Sequence, residues 1–205
     1  MTETSFDQHS RLQRDALMAE HLGSWGELRL VRVEPEADAE LLHSWVTEDR
    51  ARFWGMLDTT VADVEETYRH LDLNPTQGAF LFLLNGEPLA LMETYSPLHD
   101  PVGLVYPAQA EDIGMHLLLA PATRPIPHFT PVLGVALLAF LFSDPLITRV
   151  VAEPDARNQK AIRRLQATGF ELGPVVQLPD KEAQLTFLTR ERYARLREIA
   201  AARRR

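Results

Sequence analysis

Asn85-Gly86 stands between two apolar runs, GAFLFLL before it and EPLALMETY after it. A two-residue connection of this kind needs positive φ at both central positions, which Asn and Gly adopt at least cost. The two runs are therefore expected to be neighbouring antiparallel strands joined by a type I′ turn. Upstream, ELRLVRV from Glu27 alternates apolar and charged residues as a half-buried strand does. Ala39, Leu41, Leu42, Trp45 and Val46 recur at helical spacing, and Phe53, Trp54 and Met56 follow on a second short helix or turn. Thr60 with Asp63 resembles a capping box, opening a helix through Val64, Tyr68 and Leu71 that stops near Pro75. Downstream of the hairpin, a loop rich in Pro, His and Asp leads into the strand EDIGMHLLL. Thr130 is placed to cap, and Pro131 to open, a helix running to residue 142. The apolar stretch of that helix, VLGVALLAFLF, is far shorter than the ~20 residues of a membrane span and reads as a helix buried on all sides. ITRVVAE is a further strand, 158–168 a helix ended by Gly169, FELGPVVQL and AQLTFLT two more strands, and the C-terminus a basic helix. This order predicts an α/β (α+β) domain with a mixed sheet and helices on both faces.

The 205 residues have room for one such domain, taken as 27–205, preceded by a polar N-terminal extension, 1–26. Leu12, Ala16, Leu17 and Leu22 give the extension a weak helical pattern. The chain contains no cysteine, which removes disulfide frameworks, thiol nucleophiles and Cys-ligated metal sites. A net charge of −8 argues against nucleic acid as a partner, since a phosphate-binding face needs clustered Lys and Arg. No pair among the seven histidines has the spacing of a zinc-binding helix, so no metal is expected. The N-terminus lacks a signal-peptide pattern, and a cytoplasmic protein without membrane attachment, monomer or homodimer, is expected.

Two segments concentrate chemistry. On the strand Asp112-Ile113-Gly114-Met115-His116, side chains two apart share a face, so Asp112 and His116 point the same way across a glycine. The gap at Gly114 admits either a substrate or a neighbouring part of the chain. Asp155 follows the next strand, at the end where open α/β sheets place ligands. A carboxylate beside a His fixes the ring's tautomer and stabilises the imidazolium formed on proton uptake. Spacing alone leaves a second reading open, in which His116 is a satisfied core histidine and Asp155 a cap serving Arg157 or Asn158. The junction before Pro131 presents a helix N-terminus suited to a pyrophosphate, with Arg124 and His128 nearby.

The run DIGMHLLLAP…HFTPV…FLFSDPLITRVVAEPDARNQKAIRRLQATGFE, with HSWVTEDRARFWGM and FLFLLNGEPLALMETY upstream and LPDKEAQLTFLTRERY downstream, resembles GNAT-superfamily acyltransferases. More narrowly, it is similar to the branch that acylates hydroxylated lysine or diamines in hydroxamate siderophore biosynthesis, a part of iron acquisition. The resemblance covers about residues 28–193 and implies a mixed, mostly antiparallel GNAT sheet. It further implies acetyl-CoA or another acyl-CoA as co-substrate and a small hydroxylated amine as acceptor. Residue by residue, it implies His116 as base with Asp155 as its orienting carboxylate. The backbone of Leu117, Leu118 and Leu119 would pair with pantetheine, Asn158 would contact the CoA arm, and the turn with Arg124, His128, Phe129 and Thr130 would hold the pyrophosphate. His43, Trp45, Trp54, Glu93, Tyr95 and Asp112 would line the acceptor pocket. Where many superfamily members carry a Tyr as general acid, seven residues after the Asn, this chain has Leu165.

Overall fold

A computed structural model describes residue 11, residues 13–121 and residues 129–202. Eight strands hydrogen-bond in one mixed sheet in the order β1-β2-β3-β4-β5-β6-β8-β7, accompanied by helices as the sequence predicts. The strands are β1 (Met18–His21), β2 (Glu27–Arg32), β3 (Gln77–Leu84), β4 (Glu87–Tyr95), β5 (Asp112–Leu119), β6 (Arg149–Ala152), β7 (Glu171–Gln177) and β8 (Glu182–Thr189). The α-helices are α1 (Pro35–Val46), α2 (Val61–Leu73), α3 (Phe129–Leu141), α4 (Gln159–Ala167) and α5 (Arg190–Ala202). The described residues divide into two compact units, one of residues up to 94 with 116–121, the other of 95–115 with 129–202.

In the first unit, β3 and β4 meet at Asn85 and Gly86, whose φ of 52° and 86° are the two positive values a type I′ turn requires. Asn85 also ties the turn to the strand beside it: its Oδ1 accepts the N–H of Glu27 and its amide donates to the carbonyl of Trp25. The capping box of α2 is present, with Thr60 accepting from the backbone of Asp63 and Asp63 accepting from that of Thr60. Leu42, Trp45 and Val46 of α1, Val64 and Tyr68 of α2, and Leu81, Leu83 and Leu91 of the hairpin bury one core.

In the N-terminal segment residues 11 and 13 are helical, but the weak helical pattern does not continue to residue 22. Residues 18–21 are a strand, β1, paired antiparallel with β2 from Met18↔Leu30 to His21↔Glu27. Before it, Arg11 Nε donates to Asp38 Oδ1 at 2.7 Å and Arg14 Nη1 to Asp38 Oδ2 at 2.6 Å. Asp38, fully buried in the first turn of α1, also accepts the backbone N–H of Glu34. A buried carboxylate held by two guanidiniums thus docks the segment onto α1, an arrangement that needs residues far apart in sequence and leaves no local pattern.

In the second unit, β6 lies parallel to β5 and antiparallel to β8. Parallel neighbours need a crossover, which α3 supplies. Helix α3 begins by Phe129, so Thr130 sits within its first turn and not at its cap. It is not buried on all sides: Val135 is 59 % exposed, although Leu133, Leu137 and Leu141 are buried. Tyr95, Val102, Leu178, Ala183 and Leu185 form one core cluster of this unit.

Candidate active site

Four side chains of the first unit converge at His116. Trp54 comes from a short 3-10 turn, Asp49–Trp54; Tyr68 from the buried face of α2; Glu93 from β4; and His116 from β5. Glu93 Oε2 lies 3.3 Å from Nδ1 of His116, and Glu93 Oε1 accepts the phenolic O–H of Tyr68 at 2.9 Å. The ring of Trp54 stands edge-on to the imidazole, centroids 6.0 Å apart at 74°. Burial, reinforced by the Glu93 charge, pushes the Tyr68 phenol well above its usual value, so it remains a donor at neutral pH. The His116 side chain is 37 % exposed and that of Glu93 only 16 %. An imidazole that is partly exposed and backed by a nearly buried carboxylate is suited to take up a proton.

Other residues expected in an acceptor pocket do structural work. Trp45 is buried in the core. His43 Nε2–H donates to the carbonyl of Thr59 at 2.9 Å, tying α1 to the loop before α2. Tyr95 is buried, its O–H donates to Glu153 Oε2 at 2.5 Å, and its ring fills the gap at Gly114, so neighbouring chain and not substrate occupies that space. Asp112 is the buried partner of Arg149, 2.7 Å away, and also accepts from the Tyr106 O–H and the Gln109 N–H. These two polar groups end strands, where alternation cannot tell a pocket from a buried network.

Asp155 accepts both the backbone N–H and the guanidinium of Arg157, which hold its carboxyl below the ordinary range. Asp155 thus serves Arg157 through a turn before the helix, whereas the helix cap itself is Asn158. The carboxylate at Nδ1 of His116 is that of Glu93, which the sequence placed in the acceptor pocket. Asn158 caps α4, its side chain accepting from the N–H of Ala161.

The register of β5 with β6 runs from Asp112↔Arg149 to Gly114↔Val151, and β5 continues beyond it to Leu119. Ala120 N–H donates to the carbonyl of Leu89 on β4. By strand alternation the backbone groups of Leu118 face that same edge, and those of Leu117 and Leu119 the opposite one. The Leu119 carbonyl accepts from Arg50. Arg124 and His128 lie outside the described residues; Phe129 is buried and Thr130 exposed. Among the described residues, no helix is long and apolar enough to cross a membrane, and no cluster of three or more His, Asp or Glu side chains is placed to hold a metal ion.

Residues 34–178 match the acetyltransferase (GNAT) domain. Over 175 residues, 83 % of this chain and 87 % of the relative, the sequence is 30 % identical to an aminoglycoside N(6')-acetyltransferase type 1 from Klebsiella pneumoniae. It is 25 % identical over 158 residues, 76 % of this chain and 74 % of the relative, to an N-hydroxyputrescine acetyltransferase from Acinetobacter baumannii. A solved aminoglycoside acetyltransferase, AAC(6')-Ib in complex with coenzyme A, superposes with a TM-score of 0.74 at 28 % identity, covering 83 % of this chain and 99 % of that one. The mixed eight-stranded sheet, the domain match over most of the sequence and these relatives place the chain in the GNAT acetyltransferase family, as an N-acyltransferase.

Proposed function

We propose that the protein transfers an acyl group from acyl-CoA directly to the nitrogen of an N-hydroxylated diamine, or of N6-hydroxylysine, forming a hydroxamate for siderophore biosynthesis. The observation that carries this reading is the state of Glu93. Its carboxylate already receives the phenol of Tyr68 and faces the imidazole of His116, so two protein groups compete with an acceptor ammonium for it. A hydroxylamine nitrogen, made less basic by its oxygen, arrives neutral and asks for no such counter-charge. It attacks the thioester carbonyl, the C–S bond breaks, CoA leaves as thiolate, and the nitrogen's proton passes to His116. The backbone N–H groups of Leu117 and Leu119 are the donors offered to pantetheine and to the developing oxyanion. The similarity to an N-hydroxyputrescine acetyltransferase supports this acceptor class.

A second reading, an aminoglycoside amine as acceptor, is favoured by the 30 % identity to the Klebsiella pneumoniae enzyme. Thiol release measured with acetyl- and succinyl-CoA against cadaverine, N-hydroxycadaverine, N6-hydroxylysine and kanamycin separates the two. The hydroxamate reading expects the N-hydroxy compounds to exceed cadaverine and kanamycin in kcat/KM by at least ~10-fold, a preference of ~1.4 kcal/mol. Preference for kanamycin overturns it.

A further inference from the structure

Tyr68, Glu93 and His116 form a hydrogen-bond chain with a direction. The phenol of Tyr68 has one hydrogen to give, and it points at residue 93, 2.9 Å away. A carboxylate only accepts, so Glu93 receives that hydrogen on Oε1 and calls for a second donor at Oε2, where Nδ1 of His116 stands. Each link comes from a different element, and Tyr68, 1 % exposed, has no room to turn its hydroxyl elsewhere.

We propose that Tyr68 and Glu93 hold His116 as its Nδ1–H tautomer, so that Nε2 carries the lone pair that receives the proton from the acceptor nitrogen. Glu93 and Tyr68 are then positioning residues. This inference rests on His116 being the base of the proposed acyl transfer. It assigns to Glu93 the orienting role that the family resemblance gave to Asp155, whose carboxylate is held by Arg157.

The direction of the chain makes an unusual demand on variants. In Glu93→Gln, the amide keeps the shape of the carboxylate but has one accepting and one donating end. The hydroxyl of Tyr68 claims the accepting end, so the NH2 group faces Nδ1 and forces the imidazole into its Nε2–H form, which has no lone pair for the acceptor. In the double variant E93Q/Y68F the phenol hydrogen is gone, the amide is free to flip, and its oxygen again accepts Nδ1–H. Adding a second substitution therefore restores what the first removed, which loss of packing does not do.

The test uses the full chain labelled with 15N-histidine, its ring-nitrogen shifts recorded at a pH where His116 is neutral, together with kcat on the preferred acceptor from the thiol-release panel. Expected are Nδ1–H in the wild type, Nε2–H in E93Q and Nδ1–H again in E93Q/Y68F, with D155N keeping the wild-type tautomer. The kcat falls by roughly 10²-fold in E93Q and recovers by roughly 10-fold in E93Q/Y68F, while KM for acyl-CoA stays within about twofold. An Nε2–H tautomer in the wild type, a tautomer in E93Q/Y68F unchanged from E93Q, or a switch produced by D155N overturns the proposal. The ring shifts need no substrate, so they decide the tautomer even if the acceptor panel rejects the hydroxamate reading.

Discussion

The ring of Tyr95 occupies the space that a side chain at residue 114 would need: a Cβ on Gly114 would lie 2.1 Å from Cζ of Tyr95. Glycine is thus required on β5 to let a buried ring cross the strand and reach Glu153 with its hydroxyl. Gly114→Ala pushes that ring aside and breaks its bond to Glu153, at a cost of about 3 kcal/mol. The expected fall in Tm is about 6–12 °C. Because the two residues share one space, Y95A/G114A is expected to lose less than the sum of the single changes. Additive losses, or a Tm for G114A at the wild-type value, contradict this packing.

Asp38 sets the stability of the N-terminal segment. Asp38→Asn leaves the guanidiniums of Arg11 and Arg14, both with nearly buried side chains, without their shared counter-charge. Removing one partner of a buried ionic cluster costs about 3–5 kcal/mol. Chemical denaturation is expected to show that loss, with hydrogen exchange rising first across β1, whose only named neighbour in the sheet is β2. Unchanged exchange in β1 contradicts a docking role for the cluster.

Asp155 gives a pH dependence with a definite sign. Its carboxyl is held below the ordinary value of 3.8, first by the side chain of Arg157 and then by that residue's backbone N–H. A depressed folded value means that the ionised carboxylate stabilises the fold at every pH above the ordinary value, and that this contribution fades as pH falls through the lower folded one. The Arg157 side chain is 80 % exposed, so the pair itself adds little and the turn bond carries most of the effect. Asp155→Ala, which removes the acceptor, is expected to lose roughly 1 kcal/mol at pH 7, the worth of that bond. Melting curves across pH should show the deficit shrinking below pH 3.8; a deficit that grows on acidification contradicts the assignment.

Local chemistry was legible from the residues alone. Asn85-Gly86 announced its turn because few other pairs adopt positive φ, and Thr60 with Asp63 announced α2 because a capping box is complete within one turn. Strand β1 was hidden, since its four residues carry no clear alternation and are held by β2 and by ion pairs from before the strand to a helix beyond β2. At the candidate site, strand spacing left His116 open between a core residue and a base, and its carboxylate partner was not legible. Glu93 and Asp155 are both acidic residues near strand ends, and only the fold shows which oxygen reaches Nδ1. Tyr68 read as one of the apolar positions of α2; the available signal was that a buried phenol must bond its hydroxyl to something.

The most direct test of the account is the effect of His116→Ala on turnover and on cofactor binding, measured together. If His116 takes up the proton in acyl transfer, kcat on the preferred amine acceptor falls by about 10²–10⁴-fold. The dissociation constant for acyl-CoA, read by calorimetry, changes by less than about twofold, since the ring acts in the transition state and not in holding the thioester. A variant that turns over near the wild-type rate, with or without weakened acyl-CoA binding, contradicts the role of His116 as the base.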